Sequence, residues 1–260
     1  MFSGSLPQVL CLQVVLCLML HIPAQAGPKR SCGVFGGVEN LRSIALQDGT
    51  TIKLNGIDTI TDPVTLPYLR TLLDGERICI SASPPLPDRH GRLSGDVYRE
   101  RDDLWVQEQL VLSGLAFVVP TPGAGESARK LLGRESGTRM KDREQWQQAK
   151  ILKQADTVGQ DDQGTFRIVE GIVRRTTRTN KGAYLDFGAD WRTDFSVFLP
   201  PATTRRLERA GMTLRKLSGR NVQIRGYIEK RAGYLITLTE PDFLQILPSA
   251  GLPSLARAVD

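Results

Sequence analysis

Short runs of alternating apolar and polar residues dominate the first half of the chain, a pattern that is typical of β-strands with one buried face. The runs 44–46 and 51–54 flank Asp48 and Gly49, and because this dipeptide favours a tight turn, an antiparallel hairpin is predicted there. Further strands are predicted at 77–81, 93–99 and 115–119. A helix is predicted at 104–111, where apolar residues recur at helical spacing. Helices are also predicted at 63–73, after its prolines, and in a charged stretch at 127–154.

The second half is predicted to be mostly β. Its strand candidates are separated by turns, and a turn at 180–182 follows the first of them. A short helix at 200–210, with two prolines in its first turn, separates the third strand from the fourth. This order of strands and one helix is that of a small OB-type barrel. The strand candidates lie at 166–174, 183–187, 195–199, 222–228 and 234–238.

The N-terminal segment indicates export. Residues 1–26 carry no charged side chain, are mostly apolar over 6–22 and end in the small-residue sequence AQA, which predicts a signal peptide cleaved after Ala26. A single membrane anchor is the alternative, although the apolar run is short for a span. We therefore expect an exported protein, periplasmic or secreted, with no membrane span after cleavage.

A polar segment with two glycines, TVGQDDQGT at 157–165, is predicted to be a linker. It would separate a domain at 30–156 from a domain at 166–248, which is followed by a tail at 249–260.

Composition and charge narrow the class of protein. With 40% hydrophobic and 24% charged residues, the chain is of the folded globular kind and is neither disordered nor a multi-span membrane protein. The net charge of +6 is uneven, because residues 166–260 hold 16 basic and 9 acidic residues, whereas residues 27–125 hold 10 basic and 12 acidic residues. The basic second domain favours a polyanionic partner.

Two cysteines, Cys32 and Cys79, remain after cleavage of the signal. An even pair in an exported protein predicts a disulfide, which would tie the first strand to the strand at 77–82. Two buried thiols are the alternative, because cysteine also packs as a small apolar side chain. A zinc site is not expected, since the mature chain adds only His90 to this pair.

Three motifs carry a resemblance to a known family: LQDGTTIKLNGID at 46–58, DRHGRLSGDVY at 88–98 and VQEQLVLSGLAFV at 106–118. In this order and spacing they resemble the thermonuclease, or staphylococcal nuclease-like, family over residues 34–155. The resemblance implies an OB barrel decorated with helices. The fold class expected for the whole chain is therefore mainly β (α+β), a nuclease-like OB barrel followed by a second small OB-like barrel.

The family's chemistry is phosphodiester hydrolysis. A calcium ion held by carboxylates polarises the phosphate, arginines neutralise the developing charge, and a glutamate activates the water. The resemblance puts Arg42 where a metal-binding aspartate is expected, or Thr50 in an alternative alignment, and both lose the carboxylate. Asp58 keeps the second metal ligand, and Thr61 replaces the glutamate.

The positive positions of this site are better kept. Lys53 replaces an arginine and retains its charge but not its bidentate fork, whereas Arg92 is retained. For Arg92, contact with a phosphate and pairing with Asp88 or Asp96 are both open. Arg42 would repel a metal ion, and we expect Asp58 to pair with Arg42 instead of a metal.

In the second domain, basic and aromatic residues are interleaved, as in proteins that stack bases and track phosphates. Tyr184, Phe187, Phe195 and Phe198 alternate within strands and are assigned to the core, whereas Trp191 lies in a loop. The predicted nucleic-acid-binding residues are Arg174, Arg175, Arg178, Lys181, Trp191 and Arg192.

Three functions are consistent with these residues. The first is an exported protein that binds nucleic acid or another polyanion, with phosphodiesterase activity weak or lost and without a cofactor. The second is an active calcium-dependent nuclease that hydrolyses DNA or RNA, with Asp58 as a calcium ligand. The third is an envelope module that binds other proteins.

Overall fold

The computed structural model describes residues 30–60, 63–81, 87–121, 125–141, 146 and 149–248, with only the backbone described at 138–141. The predicted signal peptide and the predicted tail lie outside these residues, as does Thr61. The chain is mainly β. Within the described residues, no helix combines the length and the apolar character needed to cross a membrane.

The N-terminal part of the chain, residues 30–141, contains a closed five-stranded barrel that is compatible with an OB-like barrel. In chain order its elements are β1 (Ser31–Asn40), β2 (Ser43–Leu46), β3 (Thr51–Leu54), β4 (Ile57–Thr59), α1 (Thr65–Leu73), β5 (Arg77–Ser81), β6 (Leu93–Arg99), β7 (Leu104–Trp105), α2 (Val106–Leu112), β8 (Ala116–Val118) and α3 (Gly125–Lys141). The barrel strands follow the order β3-β2-β1-β5-β6, and a parallel pairing of β3 with β6 closes the ring.

The hairpin predicted around Asp48 and Gly49 is confirmed. β2 and β3 pair antiparallel with Ile44 opposite Ile52, and Gly49 adopts a φ of +86°, which a side chain would disfavour. Alternation along β3 buries Ile52 and Leu54 and leaves Lys53 on the outer surface of the barrel. This alternation therefore sets which residues are available to a ligand.

The predicted disulfide is also confirmed. Cys32 and Cys79 are register partners on β1 and β5, and their sulfur atoms are bonded. The bridge therefore fastens two neighbouring strands of the closed barrel, as the sequence predicted.

The C-terminal part, residues 149–248, contains two sheets, with strand orders β17-β14-β10-β9 and β11-β12-β13-β16-β15. Every predicted strand is present, with β10 corresponding to the first, whereas β9, β11, β15 and β17 were not predicted. The elements are β9 (Leu152–Gln154), β10 (Phe166–Ile172), β11 (Arg175–Thr179), β12 (Gly182–Asp186), β13 (Phe195–Leu199), α4 (Pro201–Arg209), α5 (Leu214–Leu217), β14 (Asn221–Tyr227), β15 (Glu229–Lys230), β16 (Tyr234–Thr237) and β17 (Leu244–Ile246).

One predicted boundary is wrong. The charged helical stretch was expected to extend to Gln154, but Leu152–Gln154 forms β9, which pairs in parallel with β10. The residues around β9 explain why this segment is a strand and not a helix, because Leu152 is buried in a cluster with Phe117 and Phe166. Tertiary packing has outweighed the local helical pattern there.

The segment predicted as a linker has structure of its own. It contains a short 3-10 turn at Gln160–Asp162, and the Asp162 side chain is buried. The Asp162 carboxylate accepts hydrogen bonds from the Gly159 N–H at 3.0 Å and from Arg167 Nε at 2.7 Å. These bonds fasten the segment to the start of β10.

A buried ion pair joins the two parts of the chain. Arg225 of β14 is 1% exposed, and its Nη2 lies 2.7 Å from Oε2 of Glu135, a fully buried residue of α3. Arg225 Nη1 also donates to the Val118 carbonyl oxygen at 3.0 Å, and Glu135 Oε1 accepts the Val118 N–H at 2.6 Å. Arg225 is therefore a structural residue and not part of a basic surface.

Removing one member of this pair should destabilise the protein strongly. In Glu135→Leu the Arg225 guanidinium remains buried without its carboxylate, and we expect the free energy of unfolding to fall by about 3–5 kcal/mol. Urea denaturation would measure the change.

The exposed pair Arg129–Asp242 also joins the two parts, with its atoms 3.3 Å apart, and provides a matched control. Arg129→Ala should cost less than about 1 kcal/mol, because exposed ion pairs contribute little. Equal losses in Glu135→Leu and Arg129→Ala would contradict the structural role of the buried pair.

Candidate functional site

A cavity of about 570 Å³ brings together the predicted site residues of the N-terminal part. It opens where the turn between β1 and β2 meets β3, β4 and the start of β6. The lining residues are Asn40, Leu41, Arg42, Ser43, Lys53, Asp58, Thr59 and Arg92. Arg42, Lys53, Asp58 and Arg92 thus converge, while Thr61 lies outside the described residues.

Strand register explains this convergence. Lys53 is opposite Ser43 in the β2–β3 pair and opposite Ser94 in the parallel β3–β6 pair, which brings the residue before β6, Arg92, close to it. In β4, Ile57 and Thr59 are buried, so that the intervening Asp58 is turned toward solvent and the cavity.

Arg42 neutralises the carboxylate of this cavity. Its Nη1 lies 3.0 Å from Asp58 Oδ2, while Asp58 Oδ1 accepts the N–H of Thr59 at 2.8 Å. The turn that presents Arg42 is held by the Asn40 side-chain oxygen, which accepts the Arg42 N–H at 3.0 Å. The ion pair expected from the sequence is present, and Arg42, rather than Thr50, is among the lining residues.

Of the two roles that the sequence left open for Arg92, pairing is confirmed, with Asp88 as the partner, whereas contact with a phosphate stays a prediction. Arg92 Nε and Nη2 donate to Asp88 Oδ2 at 3.0 and 2.8 Å, and Arg92 also lines the cavity. Asp88 Oδ1 accepts the N–H groups of His90 and Arg92, so that it organises the turn. The hydrogen bonds from the Arg92 side chain hold the pKa of Asp88 well below its ordinary value.

The electrostatics of this cavity suit an oxyanion. Arg42, Lys53 and Arg92 supply three positive charges, and Asp58 with Asp88 supply two negative charges, leaving a net charge of +1. Among the described residues, Lys53 has no ion-pair partner. It therefore presents a compact charge with three donors to an incoming ligand.

The described lining residues do not fit calcium. Calcium takes six to eight oxygen ligands, with carboxylates prominent among them. Here Asp58 is the one carboxylate among the described lining residues, and Arg42 already occupies one of its oxygens. The sole described group of three potential metal-binding side chains elsewhere is Cys32, Cys79 and Glu100, where the disulfide engages both sulfurs.

A second cavity, of about 630 Å³, lies in the C-terminal part. Of the six residues predicted to bind nucleic acid, Arg175 and Trp191 line it, and Arg192 stacks on the Trp191 ring. Arg178 is bonded to Glu208, and Arg174 and Lys181 are exposed away from the lining. The lining residues are Arg175, Thr177, Tyr184, Asp186, Trp191, Ser196, Arg231, Ala232, Gly233, Tyr234 and Leu235.

The aromatic assignments are confirmed in part. Phe187 and Phe195 are buried in the core, whereas Tyr184 lines the second cavity and Phe198 is half-buried beside it. Tyr234 was not predicted as a site residue, because only the parallel pairing of β13 with β16 brings it to this face.

No protein-family model matches the chain, and no curated protein matches it. The staphylococcal nuclease-like resemblance therefore stays a prediction that rests on the three motifs.

The Asp88–Arg92 contact predicts an unusual acid titration. Because the folded-state pKa of Asp88 is below the ordinary value of 3.8, its ionised form stabilises the fold fully above that pH, and this contribution is lost as the pH falls through the lowered pKa. We expect the Asp88 carboxylate to remain ionised at a pH where ordinary aspartates are protonated. Carboxyl-carbon NMR would follow it.

Arg92→Gln is the comparison for this titration. Without the guanidinium, the Asp88 pKa should rise toward the ordinary value, because its strongest donors are gone. An unchanged Asp88 titration in Arg92→Gln would contradict the assigned cause.

Proposed function

We propose that this chain binds nucleic acid or another phosphate-rich polyanion through the cavity of its closed barrel, without hydrolysing it by the calcium-dependent route of the nucleases that it resembles. The observation that carries the proposal is the ion pair between Arg42 and Asp58 beside Lys53 and Arg92. A cation stands where that route needs a metal-binding carboxylate.

The cavity has the donors that phosphate oxygens require. Lys53 offers an ammonium without an ion-pair partner among the described residues, and the side chain of Arg42 is more than half exposed, at 54%. Planar guanidinium groups and ammonium groups are the usual partners of phosphates. A polymer gains further affinity from the counterions that it releases on binding.

Hydrolysis by the metal-dependent route would need further oxygen ligands and a base. The Asp58 carboxylate is engaged by Arg42, and the other described lining residues offer only neutral oxygens. This donor set supports binding in preference to catalysis.

We also propose that the C-terminal part is a second OB-like barrel. β10 and β11 are separated by Val173 and Arg174 alone and pair with β14 and β12 respectively, and β13 runs parallel to β16 as β3 does to β6. Gly226 of β14 approaches Ile236 of β16 so closely that an added Cβ would lie 2.6 Å from the Ile236 side chain, which supports closure between these strands.

Export is part of the proposal. A disulfide between Cys32 and Cys79 is typical of oxidising compartments, which fits a periplasmic or secreted protein.

Salt titrations with inorganic polyphosphate and with a single-stranded oligonucleotide of about 15 nucleotides would test the binding. We expect binding of both ligands to weaken steeply between about 50 and 200 mM salt. Lys53→Ala should weaken both and reduce the salt slope for the oligonucleotide by about 0.7, the value for one single-strand phosphate contact.

Arg70→Ala is the matched control, because Arg70 is an exposed cation on α1 outside the cavity. Equal effects of Lys53→Ala and Arg70→Ala, or no binding at low salt, would refute the cavity as the binding site. Oligonucleotide cleavage that requires added calcium and is lost in Asp58→Ala would refute the absence of hydrolysis.

A further inference from the structure

The second cavity differs in chemistry from the first. Its lining combines three aromatic rings, from Tyr184, Trp191 and Tyr234, with two guanidinium groups, from Arg175 and Arg231. Flat apolar surfaces beside cations suit a ligand that has both a ring and a negative charge. A nucleotide within a strand has both.

Trp191 is exposed and yet held in place. Its side chain is 50% exposed in the loop between β12 and β13. The loop is closed by Asp190 and Asp194, because the Asp190 N–H donates to Asp194 Oδ2 and the Asp194 N–H donates to the Asp190 carbonyl, each at 2.9 Å. Because the loop is already ordered in the folded protein, a ligand that stacks on this large exposed ring loses little further conformational entropy of the loop on binding.

The neighbouring turn between β15 and β16 packs against this loop. An added Cβ at Gly233 would lie 2.8 Å from the Trp191 carbonyl oxygen and 2.4 Å from the Asp194 carbonyl oxygen, so that the glycine permits close contact. The same turn carries Arg231 and is followed by Tyr234, both of which line the cavity. The two loops therefore form one continuous wall.

One face of the Trp191 indole is covered within the protein. The guanidinium carbon of Arg192 lies 4.9 Å from the ring centre, and Arg192 is not among the lining residues. Trp191 itself does line the cavity. Arg192 adds a cation–π contact that restrains the ring.

The cavity also contains a buried hydrogen-bond acceptor. Asp186 is 4% exposed and lines the cavity, and its carboxylate accepts Ser196 Oγ and Arg175 Nε, each at 3.0 Å. Each carboxylate oxygen has capacity for a second donor. An amino group on a base bound in this cavity would supply that donor.

We propose that this cavity binds one unpaired nucleobase that carries an exocyclic amino group, so that the ligand is single-stranded nucleic acid and the site favours cytosine over thymine or uracil. This inference rests on the proposed function in taking nucleic acid as the polyanion. A base inside a duplex is excluded, because both its faces are stacked and its amino group is paired. The cations Arg175 and Arg231 then contact the flanking backbone.

The experiment compares oligo(dC) and oligo(dT) of equal length, a duplex, inorganic polyphosphate and cytidine monophosphate, each titrated onto the full chain. We expect oligo(dC) to bind more tightly than oligo(dT), and both to bind more tightly than the duplex. Trp105 and Trp146 are buried and Trp191 is exposed, so that quenching of tryptophan fluorescence by a ligand reports on Trp191. Oligo(dC) should quench it because its bases stack on the ring, whereas polyphosphate, which has no base, should not.

Trp191→Ala should weaken oligo(dC) binding about tenfold or more and remove the preference over oligo(dT), whereas Trp191→Phe, which keeps a stacking ring, should lose much less. Polyphosphate binding should be unchanged in both variants. Equal affinity for oligo(dC) and oligo(dT), or equal losses in Trp191→Ala and Trp191→Phe, would overturn the inference. Cytidine monophosphate that binds as tightly as oligo(dC) would overturn the assignment to a strand.

The two proposals fail separately in this design. If Lys53→Ala weakens polyphosphate binding while Trp191→Ala leaves oligo(dC) binding unchanged, the base site is wrong and the proposed function stands. If Trp191→Ala weakens oligo(dC) binding while Lys53→Ala changes nothing, the base site stands and the cavity of the closed barrel is not the phosphate site.

Discussion

The contact between Arg225 and Glu135 is the constraint on which the arrangement of the molecule depends. Two charges buried away from water are stable only when they face each other and their remaining hydrogen-bonding capacity is used. Here the backbone of Val118 completes the pair by accepting from Arg225 and donating to Glu135. This buried ion pair and the apolar cluster around Phe117 and Phe166 therefore join the parts of the chain that carry the two cavities.

Much of the fold could be predicted from local pattern, because alternation and turn residues act within a few positions. The strands β5 and β6 have the bounds that alternation predicts, and the hairpin at Asp48 and Gly49 follows from its turn dipeptide. Arg225 could not be assigned in this way. Within its strand it resembles any other surface cation, and its burial depends on a carboxylate 90 positions earlier in the chain.

The residues of the candidate sites likewise differ in whether local sequence could predict them. Lys53, Asp58 and Arg92 could be predicted because they lie in or beside short motifs whose order is visible in the sequence, and the cavity contains all three. Tyr234 could not be predicted as a site residue, since its place depends on a parallel pairing between distant strands. The unlike chemistry of the two cavities, one polar and cationic and the other rich in aromatic rings, likewise emerges only from tertiary structure.

The two carboxylates that pair with arginines at the cavity of the closed barrel have a consequence for the proposed function. Asp58 and Asp88 already occupy the two arginines of the cavity, so an incoming anion must compete with a partner that is permanently present. A small solitary anion gains little from such an exchange. A bound polymer holds its other phosphates near the cavity at high effective concentration, so that another phosphate can displace the aspartate after one has dissociated. Under the proposed function, the paired arginines would therefore favour polymeric anions over solitary ones.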